Sequence, residues 1–125
     1  MFTKVVNLLL VFCGLLAFST FAFDRSSRLH ALNELDVETN KAILLRTNKC
    51  RGCYLAYVQL SGMDLANADL RQANLIGVTF IRATLYGADL SGAKISGANF
   101  SGAQWIDGSI CQAGSIGRCI RTRQE

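Results

Sequence analysis

The sequence predicts an all-β solenoid, and three observations carry that reading. From Leu55 to Ile110 every fifth residue is large and apolar, in twelve consecutive places. Two positions before each stands a residue that is usually small. Glycine recurs between these pairs, where a chain that bends repeatedly needs conformational freedom. The large positions are Leu55, Leu60, Leu65, Leu70, Leu75, Phe80, Leu85, Leu90, Ile95, Phe100, Trp105 and Ile110. Their small companions are Cys53, Val58, Met63, Ala68, Ala73, Val78, Ala83, Ala88, Ala93, Ala98, Ala103 and Gly108.

A period of five suits neither regular element. On an α-helix five residues rotate by about 500°, so the apolar positions spiral around the axis and form no stripe. On a flat strand an odd period sends successive large residues to opposite faces. Both members of each pair face inward only if the chain turns a corner once per repeat. A chain that keeps turning the same way winds a solenoid, whose ends require caps.

The segments "ANADLRQANL", "YGADLSGAKI" and "SGANFSGAQW" resemble the A-(D/N)-L-x-x motif of pentapeptide-repeat proteins. The resemblance covers residues 53–112. It implies a right-handed quadrilateral parallel β-helix with four repeats per coil, hence about three coils here. It also implies interior columns Leu55/Leu75/Ile95, Leu60/Phe80/Phe100, Leu65/Leu85/Trp105 and Leu70/Leu90/Ile110. These fill the interior and make Trp105 a plug near the last coil.

The elements before the repeats are of a different kind. Residues 1–22 have Lys4 ahead of a short apolar run from Val5 to Phe18 and small residues near Thr20-Phe21-Ala22, the layout of a signal peptide. A retained membrane anchor is the rival reading, interrupted by Asn7, Ser19 and Thr20. Cys13 reads as an ordinary apolar member of that run. Residues 23–52 form the approach to the solenoid. Leu29, Leu32, Leu35, Ile43, Leu44 and Leu45 have helical spacing, which predicts one or two helices, with a break near Val37 to Asn40, folded over the first coil as a cap. His30, the chain's one histidine, falls in this cap.

Without residues 1–22 four cysteines remain, an even number that reads first as two disulfides in an exported domain. "NKCRGCYL" holds C-x-x-C. Haem attachment fails because Tyr54 stands where histidine is required. A zinc site would need Cys111 and Cys119 as its other half, at the far end of the solenoid. A redox dithiol is conceivable beside Lys49 and Arg51, but no thioredoxin-like context surrounds it. A structural Cys50–Cys53 bridge is the preferred reading. Residues 113–125 leave the five-residue register, and Cys111–Cys119 is expected to close a loop over the last coil in place of a helix. Similar cysteine-bearing ends occur in exported proteins that this one resembles.

Composition excludes more than it names. One histidine leaves no Ser-His-Asp set, and no Gly-Lys-Ser/Thr follows the repeat glycines. Asp64, Asp69 and Asp89 precede central residues, where turn-stabilising hydrogen bonds explain them better than acid–base chemistry. The expectation is therefore no enzyme, no cofactor and no metal. Residues 53–112 carry a net charge of −1, and the tail "RCIRTRQE" is basic, as a solvated terminus or a weak contact for membrane or nucleic acid. Some members of the resembled family mimic DNA and bind gyrase through long, acidic solenoids, which this short and nearly neutral one does not match.

Outward-facing Tyr54, Tyr57 and Ile76 should share one side, either as an interaction surface or packed against the N-terminal cap, and Tyr86 and Ile106 another, as an interaction surface. The sequence thus favours a periplasmic or secreted scaffold that binds an unidentified protein or envelope component. No nucleic-acid partner and no stable membrane span after cleavage are expected. The alternatives are a thiol-redox accessory acting through Cys50 and Cys53 and, less favoured, a DNA-mimic gyrase-binding protein.

Overall fold

The computed structural model describes residues 25–121. The expected signal segment, residues 1–22, and the tail from 122 onward lie outside the described residues. The described residues open with a helix, α1, Arg25–Thr47. No break falls between Val37 and Asn40, contrary to the sequence expectation. Nothing from Arg25 to Thr47 is Gly or Pro, and the β-branched residues there cost only a few tenths of a kcal/mol each. From Leu35 onward the chain forms one compact unit.

Helix α1 stops at Asn48, whose φ of 58° is left-handed and whose N–H donates to Leu44 O at 2.8 Å. The five-residue repeat then takes over. Parallel bridges join each residue just before a central position to the one 20 residues on: Lys49 to Asp69, Tyr54 to Asn74, Gln59 to Thr79, Asp64 to Thr84, and so on to Thr84 with Gln104. A constant offset of 20 is four repeats of five, so the coil has four faces. Face 1 carries Cys50, Leu70 and Leu90. Face 2 carries Leu55, Leu75 and Ile95, face 3 Leu60, Phe80 and Phe100, and face 4 Leu65, Leu85 and Trp105.

Each rung uses two backbone bonds. On face 2, Leu55 N–H donates to Asn74 O and Asn74 N–H donates to Cys53 O, both at 2.9 Å. The expected strands appear only as these isolated bridges, because three residues span a face before the chain must turn. At each corner the central carbonyl accepts from the N–H of the small residue three positions on, as Leu55 O does from Val58 N–H at 3.3 Å. The second corner residue has positive φ, between 57° and 70°, from Gly52 to Gly102. That requirement explains the recurrent glycine.

The interior follows from the register. Leu55, Leu60, Leu65, Leu70, Leu75, Phe80, Leu85 and Phe100 are all fully buried. Phe80 and Phe100 stack with ring centroids 5.2 Å apart, and Trp105 meets Phe100 edge-on at 5.0 Å. Two positions depart from the expected columns. Cys50 is buried and begins face 1, so the pairing starts one repeat before Leu55. Ile110 does not complete that face. It is 57% exposed and bridges Gln104 in antiparallel sense, because the chain reverses after Trp105.

Both ends of the solenoid receive specific hydrogen-bond partners. At the start, Asn40 Nδ2 donates to Tyr54 O at 3.1 Å and Asn48 Nδ2 to Ala66 O at 2.6 Å. Leu44 enters the core, and Val37 packs against it. At the far end, residues 109–121 run back over faces 3 and 4. Phe100, Gly102 and Trp105 donate their N–H groups to Ser115, Cys111 and Ser109 carbonyls at 2.7–2.9 Å. Cys50–Cys53 and Cys111–Cys119 are disulfide-bonded, one at each end.

Candidate functional surface

The outer surface is built from three positions per repeat. The residue before each centre points outward from the middle of a face, and the two corner residues follow the centre. Where the first of these is Asp or Asn, its side chain accepts from the N–H two residues on: Asp64 from Ala66 at 3.1 Å, Asn74 from Ile76 at 3.2 Å, Asp89 from Ser91 at 3.0 Å. Asn99 and Asp107 act likewise toward Ser101 and Ser109, both at 3.0 Å. These carboxylates are therefore turn braces. Among the described residues no group of three or more His, Cys, Asp or Glu side chains could hold a metal.

Asp69 does more. Its carboxylate receives Arg71 Nε at 2.8 Å and Nη2 at 2.7 Å in a forked pair. Asp89 stands directly above on the same face, and Arg71 Nε lies 3.8 Å from it. Arg71 thus stands between two stacked carboxylates. The side-chain hydrogen bonds from Arg71, opposed by some desolvation, hold Asp69 down at about 2. Asp89 is lowered mainly by the Ser91 hydroxyl, and Asp107 mainly by Ser109, with Arg121 at 2.8 Å from Asp107.

The expected apolar groups fall as two clusters of unequal exposure. Tyr54 and Tyr57 are 46% and 72% exposed, while Ile76 is half-buried. Tyr57 N–H donates to Ile76 O at 2.8 Å, which makes them neighbours on adjacent levels. Tyr86 and Ile106 are stacked 20 residues apart at the corner after face 4, with Gly87 N–H donating to Ile106 O at 2.9 Å. They are 53% and 37% exposed. Sequence reasoning missed Ile110 and Ile116, 57% and 51% exposed. Ile110 had been expected inside, and no periodicity marks Ile116. Helix α1 contains His30 and no membrane span: no described helix is long and apolar enough to cross a bilayer.

Cys50 is 2% exposed and Cys111 1%, and each is tied to a half-buried partner. Cys50 stands at a central position of the repeat, and Cys111 joins the core cluster from the returning segment. Face 1 and its neighbour are joined through Cys50–Cys53, and the returning segment is closed through Cys111–Cys119.

Residues 64–102 match the family model for Pentapeptide repeats in eight copies. This segment carries the repeats of pentapeptide-repeat proteins, whose right-handed quadrilateral β-helix accords with the four-faced register seen here. Among solved structures it is similar to HetL, a pentapeptide-repeat protein involved in heterocyst differentiation regulation from the cyanobacterium Nostoc sp. strain PCC 7120. Identity is 32% over 50% of this chain and 36% of that one, with a TM-score of 0.40. The matched part is thus about a third of that protein's length. Among curated proteins no significant match exists.

Proposed function

We propose that this chain is a non-enzymatic exported scaffold that presents its outer surface to a protein or an envelope component. In this reading about three coils are capped by α1 at one end and by the disulfide-closed segment at the other. The observation that carries it is the division of side chains. Large apolar groups fill the interior columns, the aspartates brace turns, and among the exposed apolar exceptions Tyr86 and Ile106 are stacked one above the other. Contiguous exposed apolar groups on a rigid polar wall are characteristic of a contact surface. Export rests on the sequence of residues 1–22 and accords with two disulfides.

The test is a pull-down from an envelope fraction with the wild type and with Tyr86→Ala and Ile106→Asp. Loss of a partner in both variants supports the reading. A wild-type chain that retains no partner, or variants that retain every partner, would sink it.

The redox alternative has Cys50 and Cys53 as its only equipment, and burial of Cys50 weighs against it. Alkylation of the native mature protein discriminates between the two. Resistance of Cys50 and Cys53 supports a structural bridge, and ready cycling with a dithiol supports the accessory role.

A further inference from the structure

The returning segment covers only half of the solenoid's end. On face 3, Phe100 N–H donates to Ser115 O and Gly117 N–H to Ala98 O, at 2.8 and 2.7 Å. On face 4, Trp105 N–H donates to Ser109 O and Cys111 N–H to Ala103 O, at 2.7 and 2.9 Å. The equivalent groups on faces 1 and 2 are Leu90 N–H with Ala88 O, and Ile95 N–H with Ala93 O. Among the described residues these four groups have no hydrogen-bond partner. Leu90 and Ile95 are also only partly buried, unlike the leucines below them.

This leaves a step one strand high, about 4.8 Å, running from Ala88 to Ile95. A second copy stacked squarely end-on collides with residues 109–117, which stand on the other two faces. The step therefore suits a single extended strand. Its outward residues are Asp89 on face 1 and Lys94 on face 2, both exposed. Charges on an open edge repel unwanted strands. Here the signs are opposite and five residues apart, so they also select one strand direction and one charge order.

We propose that the edge from Ala88 to Ile95 is a docking site for an extended segment of another polypeptide, added antiparallel as residues 109–117 are on faces 3 and 4. The incoming segment turns one corner, with an acidic residue opposite Lys94 and a basic residue opposite Asp89. Main-chain bonds supply affinity and the two charges supply register. This deepens the reading of the chain as a binding module by naming its ligand as an extended peptide.

The chain itself supplies a probe. In residues 109–119 Ile110 opposes Gln104 and Ile116 opposes Asn99, positions five apart like Lys94 and Asp89. A synthetic disulfide-closed peptide of that sequence with Ile110→Glu and Ile116→Lys is added to the purified full chain, and amide exchange is followed by NMR. At about 1 mM peptide, the weak end of measurable affinity, exchange at Leu90 and Ile95 should slow at least ~tenfold. A control with Ile110→Lys and Ile116→Glu should bind at least ~tenfold more weakly. Unchanged exchange, or equal protection by both peptides, overturns the proposal. So does slow exchange without peptide that is abolished by deleting residues 122–125 or by dilution, since the tail or a second copy then fills the step. None of these outcomes depends on Tyr86 or Ile106, so the envelope pull-down stands or falls separately.

Discussion

The ring of Tyr57 occupies the space in which a Cβ on Gly77 would stand: its Cδ1 and Cε1 lie 2.5 and 2.6 Å from that position. Both residues are second corner residues with positive φ, one level apart. The relationship recurs. Asn67, Gln72 and Arg82 share the left-handed conformation, and each is followed 20 residues on by Gly87, Gly92 and Gly102. The side chain at this corner leans toward the next level and fills the Cβ space at Gly77 and Gly87, whereas at Gly92 and Gly102 it only approaches it. Gly77→Ala should therefore cost about 1–2 kcal/mol for its backbone conformation and a further ~0.5–1 kcal/mol for displacing the ring. Gly62→Ala meets nothing within 4 Å and should cost the first amount alone. Denaturant unfolding of Gly77→Ala with and without Tyr57→Gly measures the coupling directly. Additivity of the two substitutions would contradict the relationship.

The junction of α1 with the solenoid turns on Asn48. Its left-handed backbone ends the helix, and its amide caps Ala66 O. Asn48→Gly keeps the conformation and loses one hydrogen bond, for about 1 kcal/mol. Asn48→Ala loses both and should cost about 2 kcal/mol or more. Equal midpoints in chemical denaturation would show that the side-chain bond and the backbone preference are not separable in this way.

Asp69 predicts the acid limb of stability. Its carboxyl is lowered to about 2 in the folded chain, so it binds fewer protons folded than unfolded. The stabilisation is fully present above the ordinary carboxylate range and is lost as pH falls from about 4 through about 2. Thermal midpoints should drop across that window, and Asp69→Asn should shallow the drop. A carboxyl resonance of Asp69 titrating at an ordinary pH would contradict the assignment.

Phe100 joins the last levels of the core, between Phe80 and Trp105. Phe100→Ala should cost about 3–5 kcal/mol and leave a cavity next to Trp105. A red-shifted indole emission in the folded variant would report the water admitted there. Unchanged stability would mean the end of the core is repacked without loss.

The Cys111–Cys119 bridge closes a short loop, whose constraint on the unfolded chain corresponds to about 2.5 kcal/mol. Cys111→Ser with Cys119→Ser should quicken amide exchange at Phe100, Gly102 and Trp105, the residues the returning segment covers. Exchange at Leu55 and Leu60, at the other end, should change least. Uniform acceleration along the solenoid would indicate global destabilisation instead.

Much of the fold was legible because the repeat is simple. Twelve large residues at a fixed spacing predicted inward columns, and eleven stand at a central position of a described face. Ile110 fits the spacing and yet lies outside, because periodicity does not register a chain reversal. Cys50 was overlooked as a central residue because a cysteine lacks the bulk that marked the others. The break expected in α1 rested on weak propensities, which the packing of Val37 and Leu44 overrides. On the surface, Tyr86 and Ile106 could be stacked from a count of 20. The half-covered end could not be, since it depends on where the returning segment pairs.

The sequence by itself determined the solenoid: period five, the small residue beside each large one, and corner positions that accept left-handed backbone. Those are local requirements, and each repeat states them again. Tertiary structure decided what happens where the repeat stops. Asn40 and Asn48 found carbonyls to cap, the chain reversed after Trp105, and residues 109–121 closed two faces and left two open. The physical reason is that every repeat is satisfied by its neighbours above and below, whereas an end must be satisfied by residues that share no pattern with it.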